Sequence, residues 1–241
     1  MSMLSQTHFP RALGLSALVV LGLSACGSDN TKPTESAVDT PEPVQYRYQV
    51  TLTNLTQAQP LSPIAGVLHQ QGQFWRIGEP ASGALETLAE GGDNSAFLAN
   101  TEVIAHYGGE APISPGHTDE FTLSVEDVAD SKLTLATMLV NTNDAFTGVN
   151  AVDLTPLAAG QSISLYGHGY DAGTEGNSEL AQFIPGPAGM GEGFNAIRDD
   201  TNFVALHPGV VSADDGLAQS ALGAQHRFDN PVIKVVITRI E

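Results

Sequence analysis

The sequence predicts an all-β domain, a sandwich of short strands joined by long loops and carrying one short helix. Three observations carry that prediction. The ordered part of the chain opens and closes on strand patterns: Tyr46, Tyr48, Val50 and Leu52 alternate with Arg47, Gln49, Thr51 and Thr53, the period of two of a strand with one buried face. At the other end, residues 231–240 place Ile233, Val235 and Ile237 on one face. Between them lie several short β-prone runs divided by Gly, Pro, Asn and Asp, a spacing that suits a sandwich. Composition agrees: 25 Gly, 14 Pro and 6% aromatic residues in 241 describe a chain with many turns rather than a helical bundle.

Taken in order, the chain begins with His8 and Arg11 and then an apolar run over 12–25 rich in Leu, Val and Ala. This run is too short to span a bilayer as a mature helix and reads as a signal peptide over 1–25. It ends in Leu23-Ser24-Ala25-Cys26, which resembles the lipobox of bacterial lipoproteins, and Cys26 is the only cysteine in the chain. That resemblance implies acylation of Cys26 and a membrane hold through lipid. An ordinary secretory signal with a coincidental cysteine is the alternative. Gly27-Ser28 lacks the aspartate that resembles an inner-membrane retention signal. An outer-membrane lipoprotein of the cell envelope, facing the periplasm or the surface, is therefore expected. Residues 26–45 are rich in Ser, Thr, Asp, Glu and Pro and read as a flexible tether.

A single domain is expected over 46–241. Its interior strands are expected at 121–125, 133–140, 149–154 and 162–166. The helix is expected over 84–90, with Ser82 capping its start and Gly91 taking the left-handed conformation at its end. Long loops with a helical turn are expected over 169–202 and 208–224, where Gly and Pro concentrate. Trp75, the lone tryptophan, sits among apolar neighbours and is expected to anchor a core.

Charge narrows the function classes. Acids outnumber bases 27 to 9, a formal net charge of −18, which disfavours nucleic acid and favours a cationic partner or plain solubility. One cysteine excludes both an intramolecular disulfide and a cysteine-based zinc cluster. Gly-x-Ser-x-Gly, His-Glu-x-x-His, a P-loop and a dinucleotide fingerprint are all absent. Asp171-Ala172-Gly173 has no second copy to form an aspartic-protease pair. Histidines 69, 106, 117, 168, 207 and 226 show no metal spacing. The chain is expected not to be an enzyme; a hydrolase triad assembled in three dimensions around His168 or His207 is the remaining enzymatic alternative.

Two acidic, glycine-bearing turns stand out: 143–148, Asn-Asp-Ala-Phe-Thr-Gly, and 168–176, His-Gly-Tyr-Asp-Ala-Gly-Thr-Glu-Gly. Carboxylates and backbone carbonyls on such turns are the hard oxygen donors Ca²⁺ prefers. Aligned on an EF-hand loop, Asp171, Glu175 and Gly176 fall at suitable positions, but Gln182 replaces the closing glutamate and no flanking helices are expected. Ligands from elsewhere are then required, and Asp144 is the natural donor. The expected Ca²⁺ ligands are Asp144, Asp171 and Glu175, against the alternative that these acids are turn formers hydrogen-bonding their own backbone.

The same residues carry a family resemblance. Ser62-Pro63, His69, Phe74-Trp75, Gly78, Ala81-Ser82, Leu88-Ala89-Glu90-Gly91, then Asp144 to Val149 and Asp171 to Gly176 occur in the order of the spondin N-terminal domain, and the closing Pro231-Val232 strand is similar as well. The match covers roughly 46–241. It implies an antiparallel, C2-like β-sandwich with a calcium ion bound by loops at one end, in a domain serving adhesion and matrix binding. Asp144 and Asp171 stand at that family's acidic positions, and Glu175 where it often has Asp. Asn143 and Ala145 replace its proline and tryptophan, and its cysteines are missing. A lipid-anchored, exported calcium-binding module for an extracellular protein or glycan ligand is the resulting expectation. A metal-free structural envelope lipoprotein is the alternative.

Overall fold

Two antiparallel sheets face each other in the computed structural model, which describes residues 41–241; 42–241 form one unit. The expected signal peptide, Cys26 and nearly all of the tether lie outside the described residues. Among the described residues no helix is long and apolar enough to cross a membrane.

The elements in chain order are β1 (Gln45–Asn54), β2 (Ala65–His69), α1 (Gly83–Gly91), α2 (Ser95–Leu98), β3 (Val103–Gly108), β4 (Thr118–Glu126), β5 (Lys132–Met138), β6 (Ala145–Asp153), β7 (Ser162–Gly167), β8 (Gly169–Asp171), β9 (Ala205–Leu206) and β10 (Ile233–Arg239). One sheet has the order β4-β1-β10-β7 and the other β3-β2-β5-β6-β8-β9. The first and last strands are neighbours at the centre of the smaller sheet, with Val50 opposite Ile237 and Leu52 opposite Val235. Their alternation buries Tyr48, Val50 and Leu52 beside Ile233, Val235 and Ile237, and Leu68, Leu133, Leu135 and Val149 of the larger sheet close the same core. The all-β sandwich expected from the sequence is the architecture found.

The larger sheet is covered on both faces. Its outer side carries a second apolar cluster in which Leu85, Leu88 and Ala89 of α1 pack with Val67, Ala136, Phe146 and Trp75. Trp75 is buried and meets Phe146 edge-on at 5.2 Å, as its apolar surroundings led one to expect. Double coverage explains why β2 escapes the sequence: all five of its residues are buried, so no alternation marks it. β3, β8 and β9 are likewise strands the sequence reading left unassigned, the last two being only three and two residues long.

Helix α1 starts as expected, Ser82 Oγ accepting from Leu85 N. Its end is a correction: Gly91 is the last helical residue, and Gly92 takes the left-handed turn at φ 68°, its N–H bonded to Leu88 O. A Cβ at Gly92 would also lie 2.8 Å from Ser62 Cβ, so backbone angle and space both select glycine there. The segments 169–202 and 208–224 are mostly loop, with short 3-10 turns at Ala181–Phe183 and Ala213–Asp215.

Candidate functional site

The two stretches expected as turns are partly strand, 145–148 opening β6 and 169–171 forming β8, and they meet because those strands pair, Ala145 opposite Asp171 and Phe146 opposite Tyr170. That register leaves Asp144 beside Ala172, whose N–H donates to the Asp144 carbonyl at 3.3 Å. The chain after β8 then folds back over Asp144. Gly173 makes the bend at φ 69°, where a Cβ would collide with the Phe203 carbonyl.

Asp144 is fully buried. Its Oδ2 accepts three hydrogen bonds, from Thr174 N at 2.8 Å, Thr174 Oγ1 at 3.2 Å and Glu175 N at 3.2 Å. Its Oδ1 is buried without any partner. Burial, and then the Asp171 charge, pushes the Asp144 carboxyl up to about 7 against the pull of those donors. Glu175, also buried, is pushed up to about 8 by burial first and then by Glu90 and Asp144. Glu90 is the third member. It projects from the last turn of α1, is almost wholly buried, accepts from Asn195 N through Oε2 at 2.8 Å, and leaves Oε1 unpartnered. Burial raises its carboxyl as well.

The sequence reading missed Glu90. A signal was available: Glu86 and Glu90 are four apart on one helix, a like-charge spacing that is unfavourable unless something else neutralises the pair. Arg198 does so for Glu86, through Nε at 2.9 Å and Nη2 at 2.6 Å. No cation stands beside Glu90 in the same way among the described salt bridges.

Asp171 plays a different part. Both oxygens are used inside its own loop, Oδ1 accepting from Gly173 N at 2.7 Å and Oδ2 from Asn177 Nδ2 at 2.6 Å. This is the hydrogen bonding of an aspartate that closes a turn. The register places it one residue away from the position opposite Asp144, so its contribution to the buried group is its charge. His207 is buried next to this loop. Its Nδ1 accepts from Gly209 N at 3.0 Å, so Nε2 carries the hydrogen donated to Asn177 Oδ1 at 3.2 Å. Burial pulls the ring down, with Asp171 opposing. Both nitrogens are thus engaged, and no serine is among their partners. His168 is exposed and stands apart from the group.

A strap of irregular chain covers the acids. Asn195 N holds Glu90, Asp199 N donates to Thr174 O at 3.1 Å, Asp199 Oδ1 accepts from Gly176 N at 2.9 Å, and Asn202 N donates to Gly173 O at 2.7 Å. Arg198 fastens the strap to α1 through Glu86 and the Ala81 carbonyl.

The donor set suits a hard divalent cation. Asp144 Oδ1 and Glu90 Oε1 are buried without partners, burial raises Asp144, Glu175 and Glu90, Glu175 is raised further by the charges of Glu90 and Asp144, and the Thr174 hydroxyl lies alongside. As placed, no group of three or more acidic, histidine or cysteine side chains among the described residues is close enough to hold an ion. Filling the site therefore requires side-chain adjustment around Asp144, Glu175 and Glu90. No protein-family model and no curated protein sequence matches the chain.

Proposed function

We propose that residues 42–241 form a calcium-binding module of an exported, lipid-anchored protein, whose loops at one end of the sandwich serve adhesion to an extracellular or envelope ligand. The observation that carries the metal reading is the unpartnered oxygen on each of two buried carboxyls, Asp144 and Glu90, beside a third raised carboxyl, Glu175. Buried charges are otherwise paired or neutralised. Asp144, Glu175 and Glu90 would hold the ion, and Asp171 would keep the 171–177 loop closed around it. Bound calcium would supply the positive charge that lets these acids ionise in place. The spondin-type assignment and the adhesive role rest on the order of motifs in the sequence, and the lipid anchor and outer-membrane location on Cys26 and its flanks.

The test is thermal melting and calorimetry with calcium and with EDTA, beside Asp144→Asn and Asp171→Asn. A calcium-dependent rise in Tm that Asp144→Asn abolishes is expected, because binding to the folded state stabilises it by mass action. Absence of any shift in the parent protein would remove the metal reading.

A second reading is favoured by Asp171, whose two oxygens are fully engaged in a local turn. In it the protein is a metal-free scaffold and the buried acids stay protonated. Envelope cross-links that survive chelation would favour it.

A further inference from the structure

We propose that the cleft under the connection from β3 to β4 binds an organic cation, the guanidinium or ammonium group of a basic ligand, between the Tyr107 ring and the Glu110 and Asp119 carboxylates. The cleft is about 430 Å³, and its lining includes Tyr107, Glu110, Ile113, His117, Thr118 and Asp119. It contains no lysine or arginine, and neither Glu110 nor Asp119 takes part in an ion pair among the described residues.

The aromatic wall is braced. Tyr107 stacks on Phe121 with ring centroids 4.0 Å apart and planes 6° from parallel, so the ring is held flat and half-buried. Its hydroxyl donates to Asp119, with oxygens at 3.2 and 3.4 Å. Burial, followed by the Asp119 charge, pushes that hydroxyl up, so it stays a donor. One hydrogen bond fixes the Asp119 carboxylate and leaves most of its acceptor sites open.

His117 adds an acceptor. Its Nδ1 lies 3.0 Å from the Pro115 carbonyl, which can only accept, so Nδ1 carries the hydrogen and Nε2 of the neutral ring is left free. A planar or tetrahedral N–H donor would thus meet carboxylates, an imidazole nitrogen and an aromatic face. Buried Ile113 offers apolar surface for a methylene stem. An anion would meet two carboxylates and no cation, and the net charge of −18 draws cations toward the whole molecule.

Calorimetric titration with arginine amide and with 1,4-diaminobutane tests this. Saturable binding in the millimolar range is expected for probes of about a dozen heavy atoms or fewer. The stronger probe then tells whether the natural ligand carries a guanidinium or an ammonium. Glu110→Gln combined with Asp119→Asn should weaken binding at least about tenfold, and Tyr107→Leu about fivefold, while Tyr107→Phe, which keeps the ring, stays within about twofold. Glu126→Gln, which alters an exposed acid at the far end of β4, should leave binding unchanged, and melting curves check that each variant folds. The proposal is overturned if the double variant binds as the parent does, if Glu126→Gln weakens binding equally, or if potassium chloride at the probe's concentration abolishes the heat of binding.

Discussion

Asp144 shows how much one side chain must tolerate in this fold. It is fully buried, collects three hydrogen bonds on one oxygen and has none on the other. Asp144→Asn keeps an acceptor for Thr174 N and Glu175 N and removes a group that is costly to ionise there. At pH 8 without metal the variant should melt about 5 °C higher than the parent, as a gain of roughly 2 kcal/mol gives in a domain of this size. Scanning calorimetry with EDTA measures this, and a lower Tm would show that the carboxylate is already neutralised by something else. Glu90→Gln should behave in the same direction. Asp144, Asp171 and Glu175 were legible as acids on glycine-bearing turns. Glu90 was not, because its neighbours Leu88 and Ala89 mark a helix face and nothing local says that an acid in the last turn is covered by the strap.

At the scale of elements, α1 and the strap over 192–203 are held together mainly by Arg198. It spans Glu86, the Ala81 carbonyl and Asn202 Oδ1. Its partner Glu86 is buried, so the pair is more than a surface contact. Arg198→Ala should leave the sandwich folded and raise amide hydrogen exchange across 192–203 about tenfold. Mass-spectrometric exchange reads this segment by segment, and unchanged exchange would assign the hold on the strap to its backbone bonds alone. The helix cap gives a simpler expectation: Ser82→Ala removes the bond to Leu85 N and should cost about 1 kcal/mol in urea unfolding. That cap was readable because Ser before a helical pattern has one dominant use. The end of the same helix was misplaced by one residue, since Gly91 and Gly92 are both glycine and only the left-handed backbone at Gly92 and its contact with Ser62 distinguish them.

For the whole molecule the raised carboxyls make stability depend on pH. Asp144 and Glu175 titrate near 4 in an unfolded chain, and at about 7 and about 8 when folded. Between those limits the folded state holds protons that the unfolded state has released, so stability falls as pH rises. Their contribution is fully present below about pH 4 and is lost as pH passes through 7 to 8. Metal-free protein should therefore lose a few kcal/mol between pH 5 and pH 8; carboxyls shifted the other way, such as Asp93, are ionised in both states across that range and do not offset the fall. Saturating calcium should flatten that fall and release protons on binding at pH 7. Urea melts at several pH values and calorimetry in buffers of different ionisation enthalpy measure both. A flat profile without metal would mean that the folded acids are already ionised.

The fold class, the first and last strands and the capped start of the helix were legible along the chain. These rest on local periodicity and local hydrogen-bonding chemistry, which neighbours along the chain can express. The sequence also marked Asp144, Asp171 and Glu175, because acids beside glycines are visible without a structure. How those residues divide their work follows from the assembled fold. The β6–β8 register sets Asp144 under the returning loop and turns Asp171 into that loop's closure, while α1 and the strap deliver Glu90 from far away in sequence. Burial is a property of the assembled layers, not of any window of residues. It is burial that strips Asp144 Oδ1 and Glu90 Oε1 of water and leaves them without partners.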